Sequence, residues 1–305
     1  MYGILTRGLC AVAAGAIIPL ALTGARAAAM PGTALQPRAL PAGAVPVTAY
    51  VVDEQWRGIV TPIDTATNTK LRTIAAGAKP IAIAITPDGK KAYVANSRGD
   101  HVTPINMVTN RAGTPIKVGA GPGYIAITPD GKTAYVVNQT SGTVTPIRTA
   151  TGTALPAITV AEPRRRAYPD AIAITPDGKT AYVLNSNPGT VTPISTATNT
   201  ALTPITVGQY PDAIAITPDS KTAYVVRSVY GVPGTVTPIV TATNTALRAI
   251  KVGRHPQAIA ITPDGKTAYV VNYTSGTVTP IRTATNTALR AIKVGRYACA
   301  IAITP

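Results

Sequence analysis

An all-β fold assembled from one repeated unit is predicted by three observations. The phrase AIAITPDGKTAYVVN, running from Ala258 to Asn272, returns almost unchanged from Ala171 and in close variants from Pro80, Gly123 and Ala213. The tyrosines of its AYV segments, Tyr50, Tyr93, Tyr135, Tyr182, Tyr224 and Tyr269, are separated by 43, 42, 47, 42 and 45 residues. No segment carries the 3.6-residue period of an amphipathic helix, whereas short runs rich in Val, Ile and Thr stand between turn residues throughout.

Each unit reads as four strands: AIAI, TAYVV, TVTPI and ALRAIKV. In the first turn, TPDGK, Pro fixes φ, Asp bonds nearby backbone and Gly takes a positive φ. Ser220 replaces that Gly once. The third turn, TATNT, offers Asn and Thr for the same kind of local bond. Pro62, Pro104, Pro146, Pro193, Pro238 and Pro280 fall inside third strands. Each is expected at a bulge, or where its missing N–H would have had no partner. A period of about 40–45 residues with four strands per unit is that of a propeller blade. Radial packing of such sheets protects most strand edges.

The segments AYVVN, AYVLN and AYVAN, preceded by ITPDGK and followed by SGTVTPI, TATNTAL and IKVG, resemble the YVTN-family β-propeller repeat over residues 47–305. The resemblance implies four-stranded blades in a secreted or surface protein, often bacterial. Asp53 and Arg227 depart from the Asn that ends the second strand elsewhere. Counting strands predicts six blades closed by pairing of the chain's ends, with Ala300–Pro305 as the innermost strand of a blade whose other three strands lie in 48–76. A seven-bladed or truncated propeller is the alternative.

Residues 1–29 read as a secretory signal: Arg7, an apolar stretch from Gly8 to Thr23, then small residues around Ala25–Ala29. Residues 30–46, with Pro31, Pro37, Pro41 and Pro46, read as a linker to the propeller at 47–305. Once the signal is cleaved, no transmembrane segment is expected. Cleavage takes Arg7 and Arg26 from the 28 basic residues, leaving 26 against 12 acidic ones, a formal charge of +14. Such a chain favours anionic partners. Cys299 alone remains in the mature part, so no intrachain disulfide is expected.

Strand directions alternate along a blade. Turns one and three therefore share one face, and turn two and the link between blades share the other. The first face is nearly invariant from repeat to repeat. The second carries the differences and both insertions, around Arg164, Arg165 and Arg166, and around Tyr230. It also collects Trp56, Arg57, Arg98, His101, Tyr168, Tyr210, Arg227, Arg254, His255, Tyr273, Arg296 and Tyr297. Arg interleaved with aromatics can stack on rings or sugars and hold carboxylate or phosphate. Function usually sits on such loops.

Groups for catalysis are few. Five of the twelve acids belong to TPD turns, and Asp170 and Asp212 open first strands. No Cys/His cluster has metal-ligand spacing and no haem-attachment motif is present, so neither metal nor cofactor is expected. These features predict a monomeric, non-catalytic binding or adhesion scaffold at the cell surface. Its expected partners are an anionic wall polymer, a glycan or a surface protein. The alternative is an anion or single-stranded nucleic-acid binder on the same Arg/Tyr face. A third reading, a lactonase- or lyase-like enzyme, needs His101 with Asp100, or His255 with Asp170 and Asp212, to meet at the channel mouth.

Overall fold

The computed structural model describes residues 48–54, 58–161, 168–229 and 231–304. The signal segment 1–29, the linker 30–46 and the candidates Trp56, Arg57, Arg164, Arg165, Arg166 and Tyr230 lie outside the described residues. Among those residues there is no helix, hence none long and apolar enough to cross a membrane. The chain forms six antiparallel sheets, taken in order as blades one to six.

In five blades a first strand such as Pro122–Ile127 pairs with a second, Thr133–Asn138, which pairs with a third, Thr143–Arg148. The fourth strand is split into Thr153–Ala154 and Ile158–Thr159, bonded to opposite ends of the third. The all-β fold of six propeller-type sheets read from the repeat is thus observed, with five of them complete four-stranded blades.

The third-strand prolines explain the split. Pro146 lies across from Tyr135, and its carbonyl accepts the Leu155 N–H at 2.8 Å from the outer side. Its nitrogen faces the same side and has no proton to give. The fourth strand breaks there. Pro62, Pro104, Pro193, Pro238 and Pro280 accept from Leu71, Gly113, Leu202, Leu247 and Leu289 in the same way, at 2.7–2.9 Å.

The core lies between blades. One seam holds Tyr135, Val137, Val144, Ile158 and Val160 of blade three against Ala181, Val183 and Ile194 of blade four. The pattern recurs in four further seams among the described residues. Each blade thus presents a Tyr/Val/Ile face forward and an Ala/Val/Ile face backward.

Polar groups set the register of these seams. The Tyr135 hydroxyl donates to Asn199 Oδ1 in the next blade's third turn at 2.7 Å, and Tyr50, Tyr182 and Tyr224 reach Asn110, Asn244 and Asn286 likewise. Those asparagines all have φ between 51° and 55°, so one residue type serves the left-handed turn and the bond across the seam. Gly152 stands at that turn position in blade three, and Tyr93 bonds the Thr149 carbonyl instead, at 3.1 Å. The buried Asn138 amide donates to Thr145 Oγ1 at 2.9 Å and lies against Gly119 of the preceding blade; a Cβ on Gly119 would sit 2.7 Å from its Nδ2. Close approach of Asn to backbone explains why the phrase pairs that Asn with the Gly of IKVG.

The expected closing strand is not made. Strand Thr48–Asp53 pairs only with Gly58–Asp64 among the described residues, and 298–304 carry no strand. Blade one accordingly lacks the innermost strand that the other five possess.

Candidate functional site at the channel mouth

The link between blades brings the chain from an outer strand to the next innermost strand, beside the central channel. Immediately before the first-strand prolines of blades two, three, five and six stands a residue with positive φ: Lys79 (54°), Gly121 (65°), Tyr210 (63°) and His255 (53°). Tyr297, in the link after blade six, has φ 69°. The conformation is imposed by the scaffold. The carbonyls of Gly121, Tyr210 and His255 accept N–H groups from Gln139, Ser228 and Tyr273 in the second turn, at 2.8–3.2 Å. Glycine takes this backbone freely, whereas an aromatic residue carries strain. The propeller nonetheless places Tyr210, His255 and Tyr297 there. Strained backbone of this kind clusters at functional sites.

Two groups of side chains meet at this mouth. In the first, Asp170 and Asp212 occupy the position after the proline in blades four and five. Gln139 Nε2 donates to Asp170 Oδ1 at 3.1 Å and Ser186 Oγ donates to Oδ2. In blade three, Tyr124 stands where the other first strands have Ala82, Ala171, Ala213 and Ala258. Burial, and then the charges of Asp170 and Asp212, push its hydroxyl up to about 12. Tyr124 packs against the seam between blades three and four and stays protonated at neutral pH, under the influence of both carboxylates.

The second group lies in the neighbouring arc, formed by the links before and after blade six and that blade's second turn. His255 meets Tyr273 edge-on, with centroids 5.4 Å apart, and Tyr273 meets Tyr297 at 5.2 Å. Arg254 and Arg296 flank this ladder in sequence, and the Arg254 N–H is tied to Ser275 Oγ at 2.7 Å. Tyr168 and Tyr210 are about half exposed, and Tyr297 is 64% exposed.

Of the residues singled out in the sequence, the structure unites His255, Tyr273 and Tyr297, with Arg254 and Arg296 next to them in the chain. It places others in structural roles. Arg227 covers Gly208 where other blades have the buried Asn, and its Nε donates to the Gln209 carbonyl at 3.0 Å. His101 Nδ1 lies 2.8 Å from the Gly99 carbonyl, and Asp100 Oδ1 accepts the Gly121 N–H at 2.9 Å, so these neighbours serve separate loops and form no dyad. Arg98 bonds the Ala78 carbonyl through its N–H at 3.3 Å. His255 lies on Tyr273 with Nδ1 3.5 Å from Thr274 Oγ1. No three His, Cys, Asp or Glu side chains that could hold a metal come together among the described residues. The residues missed were Tyr124, Gln139 and Ser186. The signal for Tyr124 was visible, as the one large side chain that breaks the Ala-Ile-Ala-Ile phrase. Cavities of about 360 and 370 Å³ open on the opposite face, among repeated turns that include Pro129, Gly178 and Asn244.

No known family pattern matches the chain, and no curated protein sequence matches it. Solved structures do. The hydrazine synthase of Kuenenia stuttgartiensis is similar at TM-score 0.65 and 22% identity, over 82% of this chain and 84% of that one. The dihydro-heme d1 dehydrogenase NirN, solved in complex with DHE, is similar at TM-score 0.67 and 18% identity over 85% of this chain, which spans 56% of NirN. A putative 6-phosphogluconolactonase from Bacteroides uniformis is similar at TM-score 0.63 and 20% identity, over 82% and 83% of the two chains. At these identities the likeness shows the propeller fold. It also overturns the reading of the chain as a non-catalytic adhesion scaffold: these propellers carry enzyme names, and no described feature speaks for adhesion.

Proposed function

We propose that the channel mouth is a small-molecule site, of the kind propeller enzymes use, for a polyhydroxylated ligand that carries a negative group, such as a sugar acid or sugar phosphate. The observation that carries this reading is Tyr124, which feels the charges of Asp170 and Asp212 and stands where four other first strands have Ala. Carboxylates accept from ligand hydroxyls, and the neutral phenol donates to them. Arg254 and Arg296, one blade further round, suit the ligand's anionic end, and the His255–Tyr273–Tyr297 ladder offers ring faces. The likeness to a putative 6-phosphogluconolactonase supports this ligand class. The repeat itself we assign to the YVTN type, on its AYVVN, ITPDGK and TATNTAL phrases. The signal-like segment 1–29 supports export, so that the site faces outside the cell.

The test is calorimetric titration of the mature chain with 6-phosphogluconate and gluconate, alongside Tyr124→Ala. That variant restores the residue four other blades use, so it retains the fold. Binding by the parent, weakened about tenfold in the variant, is expected, since roughly 1.4 kcal/mol corresponds to a factor of ten. No binding by the parent, or equal binding by both, sinks the proposal.

A further inference from the structure

Five seams between blades are filled, and the halves of a sixth stand apart. On the forward face of blade six, Ile292 and Val294 are 49% and 51% exposed. Their equivalents Ile74, Ile116, Ile158, Ile205, Ile250, Val118, Val160, Val207 and Val252 are at most 9% exposed. Tyr269 is half-buried, whereas Tyr93, Tyr135, Tyr182 and Tyr224 are buried. A Cβ on Gly295 would meet nothing within 4 Å, whereas one on Gly253 would sit 2.6 Å from the Asn272 side chain of the next blade. On the backward face of blade one, Val51 is 51% exposed, and its equivalents Val94, Val136, Val183, Val225 and Val270 are 0% exposed.

These half-seams are complementary by the rule the other five obey. Blade six offers the Tyr/Val/Ile face, and blade one offers the Ala/Val/Ile face. Strand Thr48–Asp53 pairs with one other strand, Gly58–Asp64, among the described residues. The tail of blade six carries the innermost-strand phrase, Ala300-Ile301-Ala302-Ile303, and makes no strand. Within one chain, bringing these halves together means changing the angle at five seams whose side chains are already close-packed, and packed interiors resist such shifts.

We infer that the forward face of blade six docks the backward face of blade one of a second copy of this chain, head to tail. The tail 300–304 of the first copy then adds to strand Thr48–Asp53 of the second as its innermost strand. The interface is heterologous, so one contact leaves a free half at each end and assembly continues or closes into a ring. Strand addition satisfies an exposed edge, and the apolar half-seams supply the buried area. The monomer expected from the sequence then holds only in dilute solution.

The experiment is sedimentation velocity on the mature chain across a concentration series, with two charge variants at positions already exposed, Val51→Asp and Val294→Asp. The parent's weight-average mass is expected to rise with concentration to double the monomer or more. Each variant alone still has one intact half-seam of each copy facing a blocked one, and stays monomeric. An equimolar mixture gives dimers and nothing larger, because each species supplies the half the other lacks. A parent that is monomeric at every concentration overturns the proposal. So does a mixture that fails to dimerise. Closure within one chain is read separately: a Val51→Cys, Val294→Cys pair in a Cys299→Ser background that cross-links within the monomer also overturns it.

Discussion

Tyr135 and Tyr269 belong to the same phrase, one in blade three and one in blade six, yet the protein uses them differently. Tyr135 is fully buried and bonds Asn199 across a filled seam. Tyr269 is half-buried, beside the exposed Ile292 and Val294. The difference teaches that in this fold a residue's energy comes from the neighbouring blade rather than from its own. A propeller blade is a single sheet, and its core exists only where a second sheet covers it.

Truncation gives the largest expected effect. Tyr135→Ala removes a buried aromatic and is expected to cost about 3–5 kcal/mol. Tyr269→Ala is expected to cost about 1 kcal/mol or less, in the range of partly exposed sites. Equilibrium urea unfolding of both, in dilute solution, checks the comparison. Equal losses would mean that blade six is covered after all. Repeating the pair at high concentration sharpens it, because association would raise the cost at Tyr269 alone.

Alkaline pH gives a smaller effect per ring. Burial, and then the charges of Asp130, Asp177 and Asp219 respectively, push Tyr135, Tyr182 and Tyr224 up to about 12. The unfolded phenol ionises near 10. A group whose folded value is raised contributes stability that is fully present below the unfolded value and is lost as pH rises through the folded one. The filled seams are therefore expected to weaken between about pH 10 and 12. Ultraviolet titration should show these phenols ionising together with unfolding. Ionisation near 10 with the fold intact would contradict the packing.

The period and the AYV phrase gave sheet number and strand order, because alternation and turn chemistry are local. The third-strand prolines were legible as places where a donor is missing, but the fourth strand was expected whole, as ALRAIKV, and its break opposite the proline shows only in the paired sheet. Tyr124 was legible as a departure from Ala, but its meaning depended on Asp170 and Asp212, 46 and 88 residues away in the chain and adjacent only in space. The Asp100 and His101 pair misled for the converse reason: neighbours in sequence, they turn to different loops. The unmade seam was illegible because curvature is the sum of small rotations at each seam, and no single phrase encodes it.

The smallest effect probes the filled seams from their polar edge. Ser220 replaces the turn glycine of blade five and has φ 61°, a conformation that costs a non-glycine residue about 1–2 kcal/mol. Its hydroxyl accepts the Asp177 N–H of blade four at 2.9 Å, a bond across the seam that glycine cannot make. Such a bond is worth about 0.5–1.5 kcal/mol net. Glycine would also add about 0.5–1 kcal/mol of unfolded-chain entropy. Ser220→Gly is therefore expected to change stability by less than about 1 kcal/mol, the relief of strain offset by the two losses. Ser220→Ala keeps the strain and loses the bond, so it is expected to fall about 1 kcal/mol below the parent. Thermal unfolding of the three proteins decides it. An alanine variant as stable as the parent would mean that the hydroxyl does not couple blades four and five, and that the seam is held by its apolar side chains alone.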